Sequence, residues 1–166
     1  MIQIETQRLI VRNFRPEDWQ DLLEVAVPYQ ATEWARFEPP WPTEAEKVQG
    51  MARYMAGGDE FLAATLKGGG KLIGLIAVEP RKDKEAGIHN LGYVFHPHYW
   101  GQGYAVEGCR AAMAYMFEER GINAFLTGTR LENTPSVRLL ERLGLEHLGQ
   151  GEFRMTREEW QARQKA

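Results

Sequence analysis

Apolar and polar residues alternate over much of the first half of the chain. The segment Arg8–Phe14 alternates in the way expected of a half-buried strand. Two further strand-like runs, Glu60–Leu66 and Lys71–Val78, are joined by three glycines at 68–70, and another run spans Gly87–Phe95. Because a strand follows the glycines, they indicate a hairpin turn and not a phosphate-binding loop. The short connections predict an antiparallel meander.

Two helices are predicted between the first of these strands and the second. Apolar residues recur at helical spacing from Trp19, and Pro28 is expected to end that helix. Thr43, with Glu46 three residues later, resembles a capping box and predicts a second helix that runs to about Ala56. The two glycines that follow are expected to end it.

Strands and helices alternate in the second half. The pattern predicts, in order, a helix from about Ala105 to Arg120, a strand over Asn123–Arg130, a helix from Thr134 to Gly144, strands over Leu145–Leu148 and Glu152–Met155, and a short helix near Arg157–Arg163. This order implies that part of the sheet is parallel. We therefore predict a mixed α/β (α+β) fold with six or seven strands and helices on both faces, forming a single domain over residues 1–166.

Composition narrows the function classes. The chain has 166 residues, of which 43% are apolar and 26% charged, as is ordinary for a globular domain. The longest apolar run, near Leu72–Val78, is too short for a membrane span, and no secretory signal is visible, so we expect a cytoplasmic protein without a membrane partner. The net charge of −3 and the absence of a basic block argue against a nucleic-acid partner.

The segment Leu91–Glu107 carries the most specific signal. It reads as a strand, a tight glycine turn and the start of a helix, where unpaired backbone N–H groups and the helix dipole face one point. Gly101 and Gly103 allow the backbone to approach an anion closely. Such a site suits a pyrophosphate, although a tight turn without a ligand explains the same glycines.

Nucleotide-binding motifs do not fit this segment. A dinucleotide site needs a third glycine, where Val106 stands, and an acidic residue roughly 20 positions on. Asn123 occupies that position and has no carboxylate. The lysine and serine of a Walker motif are absent as well.

The segment resembles motif A of the GNAT acetyltransferase superfamily, whose consensus is Q/R-x-x-G-x-G/A. Trp100, Gly103 and Ala105 take its three defined positions. Tryptophan at the first position is typical of the branch related to ribosomal-protein N-terminal acetyltransferases. Further matches to that branch are Glu5–Arg12, Gly92-Tyr93, Pro97, Tyr99–Ala105, Glu132–Ser136, Leu143–Leu145 and Arg157–Trp160.

The resemblance implies a sheet splayed between its fourth and fifth strands, with acetyl-coenzyme A in the gap. The pantetheine arm would pair with the strand edge at 93–95, and the pyrophosphate would lie on the amides at 101–105. A backbone N–H near Val94 would polarise the thioester carbonyl. The implied cofactor-binding residues are Tyr93, Val94, Phe95, Trp100, Gly101, Gln102, Gly103, Tyr104, Ala105 and Asn133. The implied activity is metal-free acetyl transfer from acetyl-coenzyme A to a primary amine in a ternary complex. A non-catalytic acyl-coenzyme A-binding module is the alternative.

Asn133 and Ser136 are the implied catalytic residues. By resemblance, Asn133 holds the pantetheine or a linking water, and Ser136 protonates the departing thiolate. Many relatives place a tyrosine four residues after this serine, where the present chain has Leu140. A helix cap at Thr134 and Pro135 is the alternative interpretation of this stretch.

The general base is not identified by the sequence. Relatives often carry a glutamate where Asn90 stands, and the adjacent His89 is expected to point to the opposite face of the strand. Glu79, Glu33 and Glu38 are the other carboxylates near the expected site, and for each a solvated surface position is the simpler reading.

Aromatic residues between the first two helices are the candidate acceptor wall. Trp34, Phe37 and Trp41 either line the acceptor pocket, together with His89 and Asn90, or form a small satellite core. The glycine-rich connection at 149–151 is very short, which predicts an open acceptor groove suited to an amine such as a protein N-terminus. A homodimer is among the assemblies that the sequence leaves open.

No metal site is predicted. His96 and His98 form an H-x-H pair without a third ligand in register. Cys109, the single cysteine, lies on the apolar stripe of a predicted helix and is expected in the core.

Overall fold

The computed structural model describes residues 1–165. It contains nine strands, β1 (Gln3–Glu5), β2 (Leu9–Asn13), β3 (Phe61–Leu66), β4 (Leu72–Ala77), β5 (Ile88–His89), β6 (Gly92–Phe95), β7 (Ala124–Gly128), β8 (Glu146–Gly149) and β9 (Glu152–Thr156). The helices are α1 (Trp19–Gln30), α2 (Ala45–Ala56), α3 (Tyr104–Glu118), α4 (Thr134–Leu143) and α5 (Arg157–Lys165), with short 3₁₀ helices at Pro16–Asp18, Glu33–Phe37 and Pro97–Tyr99.

The strands form two sheets. One has the order β1-β2-β3-β4-β6 and is antiparallel, and the other has the order β5-β7-β9-β8. Within the second sheet, β5 pairs with β7 in parallel and the remaining pairs are antiparallel. The predicted mixed fold, splayed in its middle, is confirmed. The gap lies between β6 and β7.

The strand count exceeds the prediction for two reasons. The run predicted as one strand over Gly87–Phe95 breaks at Asn90-Leu91, and its two parts belong to different sheets. The first strand, Gln3–Glu5, is too short for its alternation to stand out.

Helices cover both faces of the first sheet, as predicted. Every residue of β4 is buried, because helices cover both faces of the sheet. A strand in this position is apolar throughout. Ile73 and Ile76 pack on the side of α3, while Leu72 and Leu75 pack on the side of α1 and α2. Residues on one face of a regular strand are two positions apart, but these are three apart. The register of the β3–β4 pair shifts next to Ala64, and this irregularity accounts for the extra residue.

Two predicted helix ends are wrong. Helix α1 continues past Pro28 to Gln30, since packing of Tyr29 into the core outweighs the hydrogen bond that proline cannot donate. Thr43 does not cap α2, because the helix begins later: Glu44 is its N-cap, without a side-chain hydrogen bond to the helix. The first main-chain bond of α2 runs from the Val48 N–H to the Glu44 carbonyl at 3.0 Å.

The position of β6 depends on a close approach at Gly74. Gly74 lies opposite Phe95 across the β4–β6 pair. A β-carbon at Gly74 would fall 2.4 Å from the Phe95 ring. The aromatic ring therefore lies over the glycine backbone, and this contact seats the strand that borders the gap.

Candidate active site

A cavity of about 730 Å³ opens in the gap between the two sheets. Its walls come from β6, the start of α3, the start of α4, the end of β7 and the segment between α1 and α2. The sequence motif, the candidate catalytic residues and the aromatic segment therefore meet at one place.

The edge of β6 that faces the gap carries free backbone groups. The Asn90 N–H donates to the Glu79 carbonyl and the His96 N–H donates to the Ile73 carbonyl, both at 2.8 Å. Between these bonds, the backbone N–H and C=O groups alternate in direction. Those of even-numbered residues point to β4, and those of odd-numbered residues point into the gap. The amide of Val94 is thus directed at β4, and the amides that face the gap near it are those of Tyr93 and Phe95.

Two of the gap-facing carbonyls already have partners. The Leu91 carbonyl accepts a hydrogen bond from the Thr127 hydroxyl at 3.0 Å, and the Phe95 carbonyl accepts one from Trp100 Nε1 at 2.8 Å. Trp100, expected in the cofactor-binding loop, therefore also fixes the end of β6. The N–H and C=O of Tyr93 and the N–H of Phe95 remain available to an added extended chain.

The turn before α3 presents further free amides. Gly101 and Gly103 have φ of +73° and +83°, the left-handed region that glycine adopts without strain. The first main-chain bond of α3 runs from the Glu107 N–H to the Gly103 carbonyl at 3.0 Å. The N–H groups at 103–106 therefore have no partner within the helix. Gly101, Gly103, Tyr104 and Ala105 line the cavity, whereas Gln102 does not, since its side chain donates to the His98 carbonyl.

Arg8 contacts this helix start as the partner of Glu107 in an ion pair, a contact that the sequence does not predict. Its Nε lies 2.8 Å from Glu107 Oε1, its Nη1 donates to the Gln102 carbonyl, and its guanidinium lies 4.0 Å from the centre of the Tyr104 ring. Burial acts to raise the pKa of the Glu107 carboxyl, but hydrogen bonds from Thr6 and Arg8 hold it below its ordinary value. No local motif indicates this contact, because Arg8 and Glu107 are distant in sequence.

Ser136 is paired with the side chain of Tyr93 across the gap. The two hydroxyl oxygens lie 2.8 Å apart, and the Tyr93 hydroxyl is also 3.2 Å from the Ser136 carbonyl oxygen. Burial raises the pKa of the Tyr93 hydroxyl, so the phenol stays protonated at neutral pH. Leu140, at the position where relatives carry a tyrosine, lines the same cavity and is buried.

Asn133 lies against the cavity with unused hydrogen-bonding capacity. Its residue surface is 7% exposed, and its side chain makes no hydrogen bond to any residue in 1–165. It occupies the N-cap position of α4 without capping the helix through its side chain. The side-chain amide of Asn133 is therefore available to a molecule in the cavity.

The candidate acceptor residues separate into two groups. Trp34, Trp41 and Asn90 line the cavity. Phe37 and His89 do not: Phe37 stacks behind Trp34 with ring centres 6.4 Å apart, and His89 Nδ1 lies 2.7 Å from the Val78 carbonyl oxygen. Both of these side chains therefore serve local structure.

Asn90 stands where relatives often carry a glutamate, and both its side-chain oxygen and its side-chain nitrogen are hydrogen-bonded. Its Oδ1 accepts from the Thr127 hydroxyl at 2.9 Å, and its Nδ2 donates to Glu79 Oε1 at 3.3 Å. This network ties the β5–β6 junction to β7 across the base of the gap. Glu79 is engaged there and does not line the cavity.

Glu38 is the single acidic residue among the cavity-lining residues that the structure describes. The residue is exposed at the cavity rim. Partial burial raises the pKa of its carboxyl above the ordinary value. Glu33, on the same segment, is exposed and outside the cavity. Of the three carboxylates that the sequence left open, the structure brings only Glu38 to the site.

The β8–β9 connection is as short as predicted. The turn consists of Gln150 and Gly151, and no residue of this hairpin lines the cavity within the described chain. His147 instead stacks on Phe153 with ring centres 4.7 Å apart. Residues between α1 and α2 line the cavity instead.

No group of three or more His, Cys, Asp or Glu side chains in residues 1–165 is arranged to hold a metal. His96 and His98 instead pack edge-on against Tyr99. Cys109 belongs to α3 and is buried in the core, as its position on the apolar stripe predicted. Across the same residues, no helix is both long and apolar enough to cross a membrane.

Comparison with known proteins decides the family. The family model described as acetyltransferase (GNAT) domain matches residues 8–146. The chain belongs to the GNAT acetyltransferases. A curated relative, the uncharacterized N-acetyltransferase YnaD of Bacillus subtilis, is 28% identical over 151 residues, covering 89% of this chain and 85% of its own.

Solved structures agree on the GNAT fold. An acetyltransferase of the GNAT family from Bacillus anthracis superposes with a TM-score of 0.84 at 23% identity, covering 95% of this chain and all of its own. A ribosomal-protein-S5-alanine acetyltransferase from Vibrio fischeri superposes with a TM-score of 0.80 at 15% identity, covering 96% of this chain and 99% of its own. At these identities the likeness concerns the fold, and membership of the ribosomal-protein branch stays a prediction. GNAT enzymes as a family use acetyl-coenzyme A.

Proposed function

We propose that this GNAT protein transfers an acetyl group from acetyl-coenzyme A to a primary amine by direct attack in a ternary complex. The proposal depends on one observation: two sets of backbone groups without hydrogen-bond partners face the same cavity. These are the free edge of β6 and the unpartnered amides at the start of α3. An extended amide-containing arm joined to a pyrophosphate matches both.

The residues present fit acetyl-coenzyme A, which supplies the acetyl group as an activated thioester. The N–H and C=O of Tyr93 and the N–H of Phe95 are the partners available to the amides of the pantetheine arm. The free side-chain amide of Asn133 adds a further donor and acceptor in the same cavity. The amides at 103–106, at the N-terminus of α3, favour negative charge.

Ser136 is the group that returns a proton to the departing sulfur. Its hydroxyl faces the cavity and takes part in a 2.8 Å hydrogen bond with Tyr93. When Tyr93 donates its hydrogen to Ser136 Oγ, the serine hydrogen is left free to point into the cavity. Because the Tyr93 phenol remains protonated, this arrangement is available throughout the neutral range.

The paired hydroxyls favour an enzyme over a non-catalytic acyl-coenzyme A-binding module. Binding requires the β6 edge and the α3 amides, but it does not require a serine hydroxyl held by a buried phenol. A capping role also leaves the hydroxyl unexplained, because Ser136 bonds to Tyr93 and not to a free helix amide. The expected acceptor is an amine in the cytoplasm, and a protein N-terminus belongs to this class.

The proposal is tested by turnover with a panel of amines. The protein is mixed with acetyl-coenzyme A and each amine, release of the free thiol is followed, and the product is weighed by mass spectrometry. An acetylated amine together with stoichiometric thiol release supports the proposal. Tight binding of acetyl-coenzyme A without acetylation of any amine in the panel would identify the chain as a binding module.

A further inference from the structure

The cavity carries opposite charges on different walls. Arg138 and Arg142 border it from α4, on the side of the α3 amides, and Glu38 borders it from the segment between α1 and α2. Arg142 also borders a second groove that runs from Gly103 along α3. The wall toward the helix start thus suits a polyphosphate, while the Glu38 wall suits a cation.

The backbone of Glu38 is held in place by its neighbours. The Glu38 N–H donates to the carbonyl of Ala35 at 3.2 Å, and Ala35 is itself buried in the core formed with α1 and α2. Two prolines follow, and their rings fix φ at positions 39 and 40. Beyond them, the Trp41 N–H donates to Gln30 Oε1 at 3.0 Å, so the segment is anchored on both sides of the carboxylate.

The surroundings of this carboxylate are apolar. The side chains that line the cavity on this wall are Tyr29, Trp34, Pro39, Pro40, Trp41, Met51, Met55 and Phe61. Burial raises the pKa of the Tyr29 hydroxyl, and the charge of Glu38 raises it further, so the phenol is neutral near the carboxylate. One anionic group within an aromatic and proline wall matches one ammonium group on an apolar body.

We propose that Glu38 receives the acceptor amine and that the natural acceptor is a monoamine with an aromatic or apolar body. This inference rests on the acetyltransferase function proposed above and adds to it the general base and the substrate class. The carboxylate forms an ion pair with the ammonium group, and the apolar wall holds the body of the amine.

The proton balance of the reaction gives Glu38 a defined task. An ammonium acceptor loses its first proton to the Glu38 carboxylate, which faces solvent at the rim and releases the proton there. The amine nitrogen then forms the new C–N bond and the C–S bond breaks. The sulfur takes the hydroxyl proton of Ser136, and the second nitrogen proton restores the hydroxyl. The products are the amide, free coenzyme A and one released proton.

Two other amine classes fit the wall less well. A polyamine brings several ammonium groups, but the described cavity lining offers one carboxylate. A peptide N-terminus brings backbone N–H and C=O groups, which lose hydrogen bonds against aromatic and proline side chains. Both classes are therefore outcomes of the test and not the expected acceptor.

The test compares four amines on the wild type and three variants. The amines are 2-phenylethylamine, ethylamine, spermidine and a hexapeptide with a free N-terminal alanine. For the wild type, kcat/KM is expected to be highest for 2-phenylethylamine. Glu38→Gln is expected to lower kcat/KM for this amine by about 10²-fold, as removal of a general base does. Affinity for acetyl-coenzyme A, measured by calorimetry, is expected to stay unchanged, because Glu38 belongs to the segment between α1 and α2 and not to β6, α3 or α4, which carry the proposed partners of acetyl-coenzyme A.

Glu33→Gln is the matched control. It removes the same charge from the same segment, five residues earlier, at an exposed position outside the cavity. It is expected to behave like the wild type with all four amines. The third variant, Trp34→Ala, is expected to raise KM for 2-phenylethylamine several-fold and to leave KM for ethylamine unchanged, because ethylamine lacks the ring.

The failures of the two proposals are distinguishable. Equal kcat/KM for Glu38→Gln and wild type, or a wild-type preference for spermidine or the peptide, overturns the role and substrate class given to Glu38 while acetyl transfer stands. Binding of acetyl-coenzyme A without acetylation of any of these amines overturns the proposed function, and the present inference with it.

Discussion

The hydroxyl groups of Tyr93 and Ser136 lie 2.8 Å apart although the residues are 43 positions apart in sequence. Tyr93 belongs to β6, the edge strand of the first sheet, and Ser136 belongs to the first turn of α4, which follows β7 of the second sheet. The hydrogen bond therefore crosses the gap. It places a buried, protonated phenol behind the serine that is proposed to donate a proton.

Ser136→Ala is expected to lower turnover by roughly 10²-fold or more, because the departing thiolate loses its proton donor. Affinity for acetyl-coenzyme A is expected to change little. Steady-state kinetics with a saturating amine and calorimetry with acetyl-coenzyme A check the two parts. Turnover equal to that of the wild type would return Ser136 to a structural role.

Tyr93→Phe tests the Tyr93 hydroxyl separately from Ser136, the proposed proton donor. The variant keeps the ring and the backbone edge of β6 but removes the hydroxyl that bonds to Ser136. Turnover is expected to fall by about 10-fold, less than for Ser136→Ala, because the serine keeps its proton but loses its orientation. The double variant is expected to be no slower than Ser136→Ala alone, since Tyr93 acts through the serine. Independent, multiplicative losses in the double variant would contradict this coupling.

Asn133→Ala is expected to weaken acetyl-coenzyme A binding by roughly 10-fold while leaving thermal stability nearly unchanged. The side chain is buried but has no hydrogen-bond partner among the described residues, so its removal breaks no intramolecular bond. Thr127→Val is the comparison for stability, since that hydroxyl bonds to both Asn90 and Leu91. It is expected to lower the free energy of unfolding by about 1–3 kcal/mol.

Calorimetry and chemical denaturation of both variants provide the measurements. An Asn133→Ala protein that is clearly less stable, with acetyl-coenzyme A affinity intact, would show that Asn133 serves the fold and not a ligand.

Gly103→Ala is expected to weaken acetyl-coenzyme A binding because it disturbs the turn that presents the α3 amides. Gly103 has φ of +83°, and its added β-carbon would lie 3.3 Å from Arg8 Nη2. Gly69→Ala is the matched control: Gly69 has φ of +91° in the β3–β4 turn, with no atom within 4 Å of the added carbon. Both substitutions are expected to cost about 1–2 kcal/mol of stability for the left-handed backbone. Affinity for acetyl-coenzyme A should fall for Gly103→Ala alone. Equal affinity in the two variants would show that the pyrophosphate does not bind at this turn.

The fold was largely accessible from the sequence because its signals are local. The glycine turn, the helix after it and the alternating strands are encoded by neighbouring residues, and the structure has all of them. Pro28 and Thr43 misled because local rules were outweighed: packing of Tyr29 extends α1, and α2 starts after the expected cap. The predicted strand Gly87–Phe95 breaks because β5 and β6 join different sheets, and no local sequence pattern indicates this difference.

The site was accessible only in part because its contacts are long-range. The sequence indicated Ser136 and Asn133 separately, but the Tyr93 hydroxyl reaches Ser136 from β6, across the gap. Glu38 was one of three carboxylates that the sequence left open. To choose Glu38, one must know the path of the segment that follows α1, and the local spacing of residues does not reveal that path.

The pH dependence of acetylation is expected to follow Glu38. Partial burial raises the pKa of its carboxyl above the ordinary value, and the groups facing it from α1 and β6, Tyr29 and Tyr93, are neutral phenols. As pH falls through that pKa, the carboxylate gains a proton and can neither pair with the ammonium nor accept its proton. The value of kcat/KM for the amine therefore falls on the acidic side.

Glu38→Gln is expected to lack this acidic limb, and Glu33→Gln is expected to keep it. The measurement is kcat/KM for 2-phenylethylamine from pH 5 to 9 in buffers of constant ionic strength. The same acidic limb in Glu38→Gln and wild type would assign it to another group.

Calorimetric titration of the purified protein with acetyl-coenzyme A, with NADH as the control ligand, tests the central claim most directly. The account predicts saturable binding of acetyl-coenzyme A with one site per chain and no binding of NADH, because the cavity combines a free strand edge with the α3 amides and lacks a dinucleotide motif. Absence of acetyl-coenzyme A binding would mean that the chain keeps the GNAT fold without its ligand, and it would contradict every role assigned here to the cavity.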